Sequence, residues 1–100
     1  MVEQIRKVPP QRMADFCRRN QIRKLAVFGS ALRDDFRADS DLDLLVEFQP
    51  GKVPGLAFFR LQEELSDMFG RTVDLNTPNS LPADFREKVR STAEVLYAAP

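Results

Sequence analysis

Two runs of the chain decide its fold: Lys24-Leu25-Ala26-Val27-Phe28-Gly29-Ser30, and, after a polar stretch, Asp41-Leu42-Asp43-Leu44-Leu45-Val46-Glu47-Phe48. The apolar block 24–28 is short and is stopped by a Gly-Ser pair, so it reads as a buried strand entering a tight turn. Ser30 is placed to cap a short helix. Asp34-Asp35-Phe36-Arg37-Ala38-Asp39-Ser40 is polar and aperiodic, which predicts a loop. The segment 41–48 follows as a second strand, mostly apolar at its end and therefore central.

Working outward, Pro9-Pro10 suit a helix start, and Met13, Phe16, Cys17 and Asn20 recur at the spacing of one helical face, predicting a helix over about 10–20. Gln49 to Gly55 has the Pro/Gly density of a connector. Beyond it Phe58, Leu61, Leu65 and Met68 mark the buried stripe of another helix, ended by Gly70 as a C-cap. Thr72-Val73-Asp74-Leu75 forms a third short strand, halted at Asn76-Thr77-Pro78-Asn79-Ser80, and Leu81, Phe85 and Val89 return to helical spacing. The tail from Thr92 to Pro100 is ambiguous. The expected fold class is α/β (α+β): a small mixed sheet of three or more strands with helices packed on one face, in a single domain over residues 1–100.

With 100 residues and 43% hydrophobic content the chain is long enough for one compact core. Lys+Arg and Asp+Glu are equal at 15 each, so no overall field draws it to nucleic acid or to an anionic membrane, and neither is an expected partner. Its one cysteine, Cys17, follows the core stripe of the first helix and reads as packing. With one cysteine and no histidine, an internal disulfide, the usual zinc spacings and a Ser-His-Asp arrangement are all excluded. The N-terminus lacks an apolar stretch of signal-peptide length and no run is long enough for a bilayer, so the expected location is the cytoplasm.

Carboxylates must then carry any acid/base or metal work. On a strand side chains alternate, so Asp41 and Asp43 point to one side with their Cα atoms roughly 6.6 Å apart, at about 3.3 Å per residue. Two like charges at the start of a buried segment call for a compensating cation. Oxygen ligands without His or Cys favour Mg²⁺ or Mn²⁺, which is normally held by one or two carboxylates together with substrate phosphates. Gly29 lets a backbone approach a ligand closely, and Ser30 at a strand-to-helix turn adds a hydroxyl and N–H donors for phosphate oxygens. Asp74 joins the same acidic face if the third strand pairs beside the second. Taken singly, Gly29-Ser30 is an ordinary capped turn and each Asp a solvated side chain; taken together they describe phosphoryl or nucleotidyl transfer. An EF-hand beginning at Asp39 fails at Leu44 and Pro50, and a P-loop ending at Gly51-Lys52 fails at Val53 and Val46.

The run Gly29-Ser30, ten residues, Asp41-Leu42-Asp43 resembles the signature of the minimal nucleotidyltransferases of the polymerase-β-like superfamily. Gly70-Arg71-Thr72-Val73-Asp74-Leu75-Asn76-Thr77-Pro78 looks like the segment that carries the family's third carboxylate. Taking each of Gly, Ser, Asp and Asp at roughly 5 to 7% abundance, a chance match at fixed spacing somewhere in such a chain is on the order of one in a thousand. The resemblance covers about residues 24–97. It departs from the common pattern at Asp34, where Gly is usual, and at Ala38, where Pro is usual.

The resemblance implies that Asp41, Asp43 and Asp74 are catalytic and bind Mg²⁺, as one or two ions. Asp74 would alternatively activate the acceptor hydroxyl. It further implies that Gly29-Ser30 holds the triphosphate of ATP or another NTP. Arg33 is either a phosphate contact or a solvated partner of a helix end. The implied setting is the antitoxin of a prokaryotic toxin-antitoxin pair, with a small all-helical HEPN protein as partner. Two functions compete within it: transfer of AMP to a hydroxyl of that partner, or a binding module that neutralises the partner by occlusion. Phe58 and Phe59 are adjacent, so a helix cannot bury both equally; Phe59 is an edge residue of the core or a partner contact.

Overall fold

The computed structural model describes residues 7–29 and 40–100. Helix α1 (Pro10–Arg19) leads into β1 (Ile22–Phe28), and β2 (Leu42–Phe48) is followed by α2 (Ala57–Phe69), β3 (Val73–Asn76), α3 (Ala83–Thr92) and β4 (Glu94–Ala98). Pro10 stands in the first turn of α1, where its missing N–H costs nothing, and Arg18 and Arg19 sit in the last turn, where cations suit the helix dipole. Asn20 lies just past the helix, its side-chain amide donating to the Phe16 carbonyl at 2.9 Å. Gly70 ends α2 at φ +69°, the left-handed conformation expected of a C-cap glycine.

The sheet is mixed, in the order β3-β2-β1-β4. β1 pairs antiparallel with both β2 and β4, and β2 pairs parallel with β3. Alternation along β2 divides its residues between two clusters. Leu42, Leu44, Val46 and Phe48 join Leu25 and Val27 of β1, Val73 and Leu75 of β3, Phe16 and Cys17 of α1, and Leu61, Leu65 and Phe69 of α2 in the main core. Leu45 and Phe28, which alternate away from that core, meet Val89 of α3, with the Phe85 ring edge-on to Phe28 at 6.4 Å. The expected placement of helices on one face therefore describes α1 and α2, while α3 lies against the other.

The second strand starts at Leu42 rather than Asp41, which leaves Asp41 exposed just before it. The tail beyond Thr92 becomes β4, an edge strand with only Leu96 and Tyr97 half-covered. The opposite edge is different: the outward amides of Val73 and Leu75 on β3 donate to Ser66 Oγ and Gln62 Oε1 of α2, each at 2.9 Å. The helix cap expected of Ser30 and all of the loop expected over 34–40 except Ser40 lie outside the described residues, as does Arg33.

Cys17 is fully buried, and desolvation pushes its thiol up to about 12. Only the thiolate is nucleophilic, so at pH 8 about one molecule in ten thousand would present it even were the sulfur accessible. Native protein is expected to resist iodoacetamide, and protein unfolded in denaturant to be alkylated fully; mass spectrometry over a time course distinguishes them.

Candidate active site

β1 and β2 are registered so that Phe28 lies opposite Asp43, and β2 and β3 so that Asp43 lies beside Asp74. Side chains directly abreast in a sheet share a face. Asp43 and Asp74 therefore project on the same side as Leu45 and Phe28, away from the main core, because Leu42, Leu44, Val73 and Leu75 take the buried positions. Asp74 is exposed and Asp43 half-buried.

Three causes hold the Asp43 carboxyl above the usual carboxylate range: burial first, then the negative charges of Asp74 and Asp41, then a hydrogen bond with the Asp74 side chain. Asp43 and Asp74 are thus in direct contact, and Asp41 is close enough to act electrostatically. Among the described residues no three acidic, cysteine or histidine side chains converge tightly enough to enclose an ion unaided. The arrangement is a pair of touching carboxylates with a third at their margin.

Gly29 closes the site from the β1 side. Its φ is +74°, and a Cβ built on it would stand 2.5 Å from Asp43 Oδ2. The sequence points to Gly29 for close approach of a ligand; the structure adds that the Asp43 carboxylate occupies the space a side chain would take. At the other border the Arg71 guanidinium donates to the Ser40 carbonyl at 3.4 Å, and the Leu42 N–H donates to the Thr72 carbonyl at 2.9 Å. These bonds tie the chain leading into β2, and with it Asp41, to the start of β3. Sequence reasoning did not single out Arg71, Gln62 or Ser66. Polar residues beside apolar helix or strand positions read as solvent-facing until their partners are known.

The donor set suits a hard divalent cation. It is all oxygen, burial and the neighbouring Asp74 and Asp41 disfavour the charge of its central carboxyl, and Mg²⁺ commonly uses one or two carboxylates and completes its shell from substrate phosphates. An open hollow of about 610 Å³ along Ala83, Arg86, Glu87, Arg90 and Ser91 of α3 is not lined by these carboxylates and takes no part in the site.

The pH dependence of the metal-free protein follows from Asp43. Its folded-state pKa is raised, so over the window between the ordinary Asp value of about 3.9 and the raised one the folded state holds a proton that the unfolded chain has released. Stability from this group is full below that window and is lost as pH rises through it. In EDTA, the melting temperature of the wild type minus that of Asp43→Asn is expected to fall with rising pH across this window and then level off. A difference that rises with pH would contradict the geometry.

The chain matches the family described as Polymerase beta, Nucleotidyltransferase over residues 11–99. It is 33% identical over 97 residues to the protein adenylyltransferase MntA of Thermococcus cleftensis, a match covering 96% of this chain and 94% of that protein. A solved structure of a candidate minimal nucleotidyltransferase aligns with a TM-score of 0.73 at 33% identity, covering 95% of this chain and 94% of the other. A tri-AMPylated HEPN toxin of Shewanella oneidensis in complex with its MNT antitoxin gives a TM-score of 0.64 at 20% identity, over 90% of this chain and 70% of the other, a likeness of fold.

Proposed function

The chain belongs to the polymerase beta nucleotidyltransferase family and is a nucleotidyltransferase, and from that premise we propose that it transfers AMP from ATP to a hydroxyl of a partner protein. The observation that carries the reading is the Asp43–Asp74 carboxylate pair beside Gly29, whose missing side chain leaves room for the Asp43 carboxylate. The acceptor oxygen attacks the α-phosphorus; the new O–P bond forms as the bond to the bridging oxygen of the β-phosphate breaks, and pyrophosphate leaves. Mg²⁺, as one or two ions, supplies neutralisation of the triphosphate's developing charge. Asp41 and Asp43 hold the metal, and Asp74 either shares it or accepts the proton of the acceptor hydroxyl. The Gly29-Ser30 backbone amides bind the triphosphate, with Arg33 as a further phosphate contact.

Positioning the acceptor within about 3 to 3.5 Å of the phosphorus supplies roughly 7 to 11 kcal/mol of the barrier in well-oriented systems. The partner is proposed to provide that positioning by closing over the site. It is a small helical protein of the HEPN type, as in the Shewanella complex, and this chain acts in the cytoplasm as its antitoxin. No helix among the described residues is long and apolar enough to cross a membrane. Phe59, 63% exposed, and the 50–55 connector are the candidate contacts with that partner.

The test is to incubate both proteins with Mg²⁺ and α-labelled ATP and to map the adduct by mass spectrometry, with Asp41→Asn as control. The expected result is AMP on a Tyr, Ser or Thr of the partner, absent in the control. Stable binding with no label under any NTP would replace transfer by occlusion. Neither binding nor label would remove the partner from the reading.

A further inference from the structure

β3 is four residues long and lies at the edge of the sheet, bonded to β2 on one side only. Backbone groups of successive strand residues point to opposite sides. The Thr72 carbonyl accepts from Leu42 on the β2 side, so the Val73 and Leu75 amides point outward, where an edge strand ordinarily meets water. Here they meet Ser66 Oγ and Gln62 Oε1.

The spacing of the two acceptors is set by the helix. Residues four apart on α2 rise about 6 Å at about 1.5 Å per residue. Amides two apart on a strand repeat at about 6.6 Å. The near match lets one face of α2 read β3 as a neighbouring strand would, with Gln62 above Leu75 and Ser66 above Val73, and the tight turn at Gly70 brings the two elements together. Ser66 is further fixed, since its hydroxyl donates to the Gln62 carbonyl at 2.9 Å and its own carbonyl accepts from Gly70 and Arg71.

A slip of one residue in β3 would aim the wrong amides at α2 and turn Asp74 into the core; a slip of two would keep the face but carry Asp74 about 6.6 Å from its place beside Asp43. The geometry points to Gln62 as a positioning residue for the metal site: its side-chain carbonyl holds the Leu75 amide and thereby keeps Asp74 in register with Asp43. This rests on the proposed reading in its form where Asp74 shares the metal held by Asp41 and Asp43. Gln62 touches neither carboxylate and acts through β3 alone.

Mn²⁺ titration of the full chain by calorimetry, paired with hydrogen exchange of the Leu75 amide by NMR, tests it without recourse to transfer activity. Wild type is expected to bind Mn²⁺, and Gln62→Leu to bind it about tenfold more weakly while Leu75 exchanges faster, the size expected when a residue supporting a metal ligand is lost. Gln62→Glu, which keeps an acceptor oxygen at the same reach, is expected to bind at least as tightly as wild type. Should Gln62→Leu fail to fold, Gln62→Asn carries the same expectation, being one methylene too short to reach the amide. Faster Leu75 exchange with unchanged Mn²⁺ affinity would reduce Gln62 to a structural contact and overturn the proposal. Unchanged exchange would overturn it as well. Failure of the wild type to bind Mn²⁺ would instead overturn the metal-site reading, and this proposal with it.

Discussion

Asp43→Asn is expected to lower transfer by about a thousandfold or more at saturating Mg²⁺ while the protein stays folded and, free of metal, melts at a higher temperature than wild type. Losing a single preorganised electrostatic partner of a transition state typically costs ~10²–10³ in rate, and loss of a direct metal ligand, the role proposed for Asp43, should cost at least that. Stability moves the other way. Asp43 sits between Asp74 and Asp41, and its raised pKa records that burial and both neighbours disfavour its charge. Asparagine keeps the volume and removes that charge, so the empty site relaxes. A charge removed from an ordinary structural position would lose activity and stability together; opposite signs mark a site built for a ligand. Transfer kinetics and circular-dichroism melts in EDTA measure the two quantities. Wild-type transfer in this variant would end the assignment of Asp43.

How much of this was legible in the sequence differs by element. Strands β1 and β2 were, because an apolar block ending in Gly-Ser and an Asp-x-Asp that alternates with leucines have few other solutions. That Asp74 stands beside Asp43 was only a conditional: the sequence shows a third strand but not which neighbour it pairs with, and pairing is fixed by non-local contacts such as Leu42 to Thr72. β4 was not legible, since Glu94-Val95-Leu96-Tyr97-Ala98 lies half in solvent and its pairing with β1 carries a bulge that breaks the alternation. The placement of α3 opposite α1 and α2 was missed because an apolar stripe says that a helix packs, not on which face of the sheet. Gln62 and Ser66 were hidden for a related reason: beside Leu61 and Leu65 they read as the polar border of an amphipathic helix, and only the edge amides of β3 give them a task.

Gly29→Ala is the smallest change that should damage both the fold and the chemistry, and the two costs can be separated. The residue sits at φ +74°, where a side chain brings Cβ against the following carbonyl at roughly 1–2 kcal/mol. In addition the new methyl would stand 2.5 Å from Asp43 Oδ2, a separation no real Cβ keeps, so the carboxylate must leave the position it holds beside Asp74. The backbone cost alone should lower the melting temperature by about 4–8 °C per kcal/mol in a domain of this size. Displacement of the carboxylate should also weaken Mn²⁺ and ATP binding, by about tenfold or more if it acts as loss of support for a ligand does elsewhere. The partition comes from repeating the substitution in an Asp43→Ala background. There the Asp43 Cβ, 3.5 Å from the new methyl, makes an ordinary contact, and only the backbone cost remains. Because the two residues touch, their effects on stability are expected to be non-additive, with Gly29→Ala costing measurably less in the Asp43→Ala protein than in wild type. Equal costs in both backgrounds would mean that Asp43 does not occupy the space beside Gly29, and the close fit between the glycine turn and the carboxylate pair would have to be abandoned.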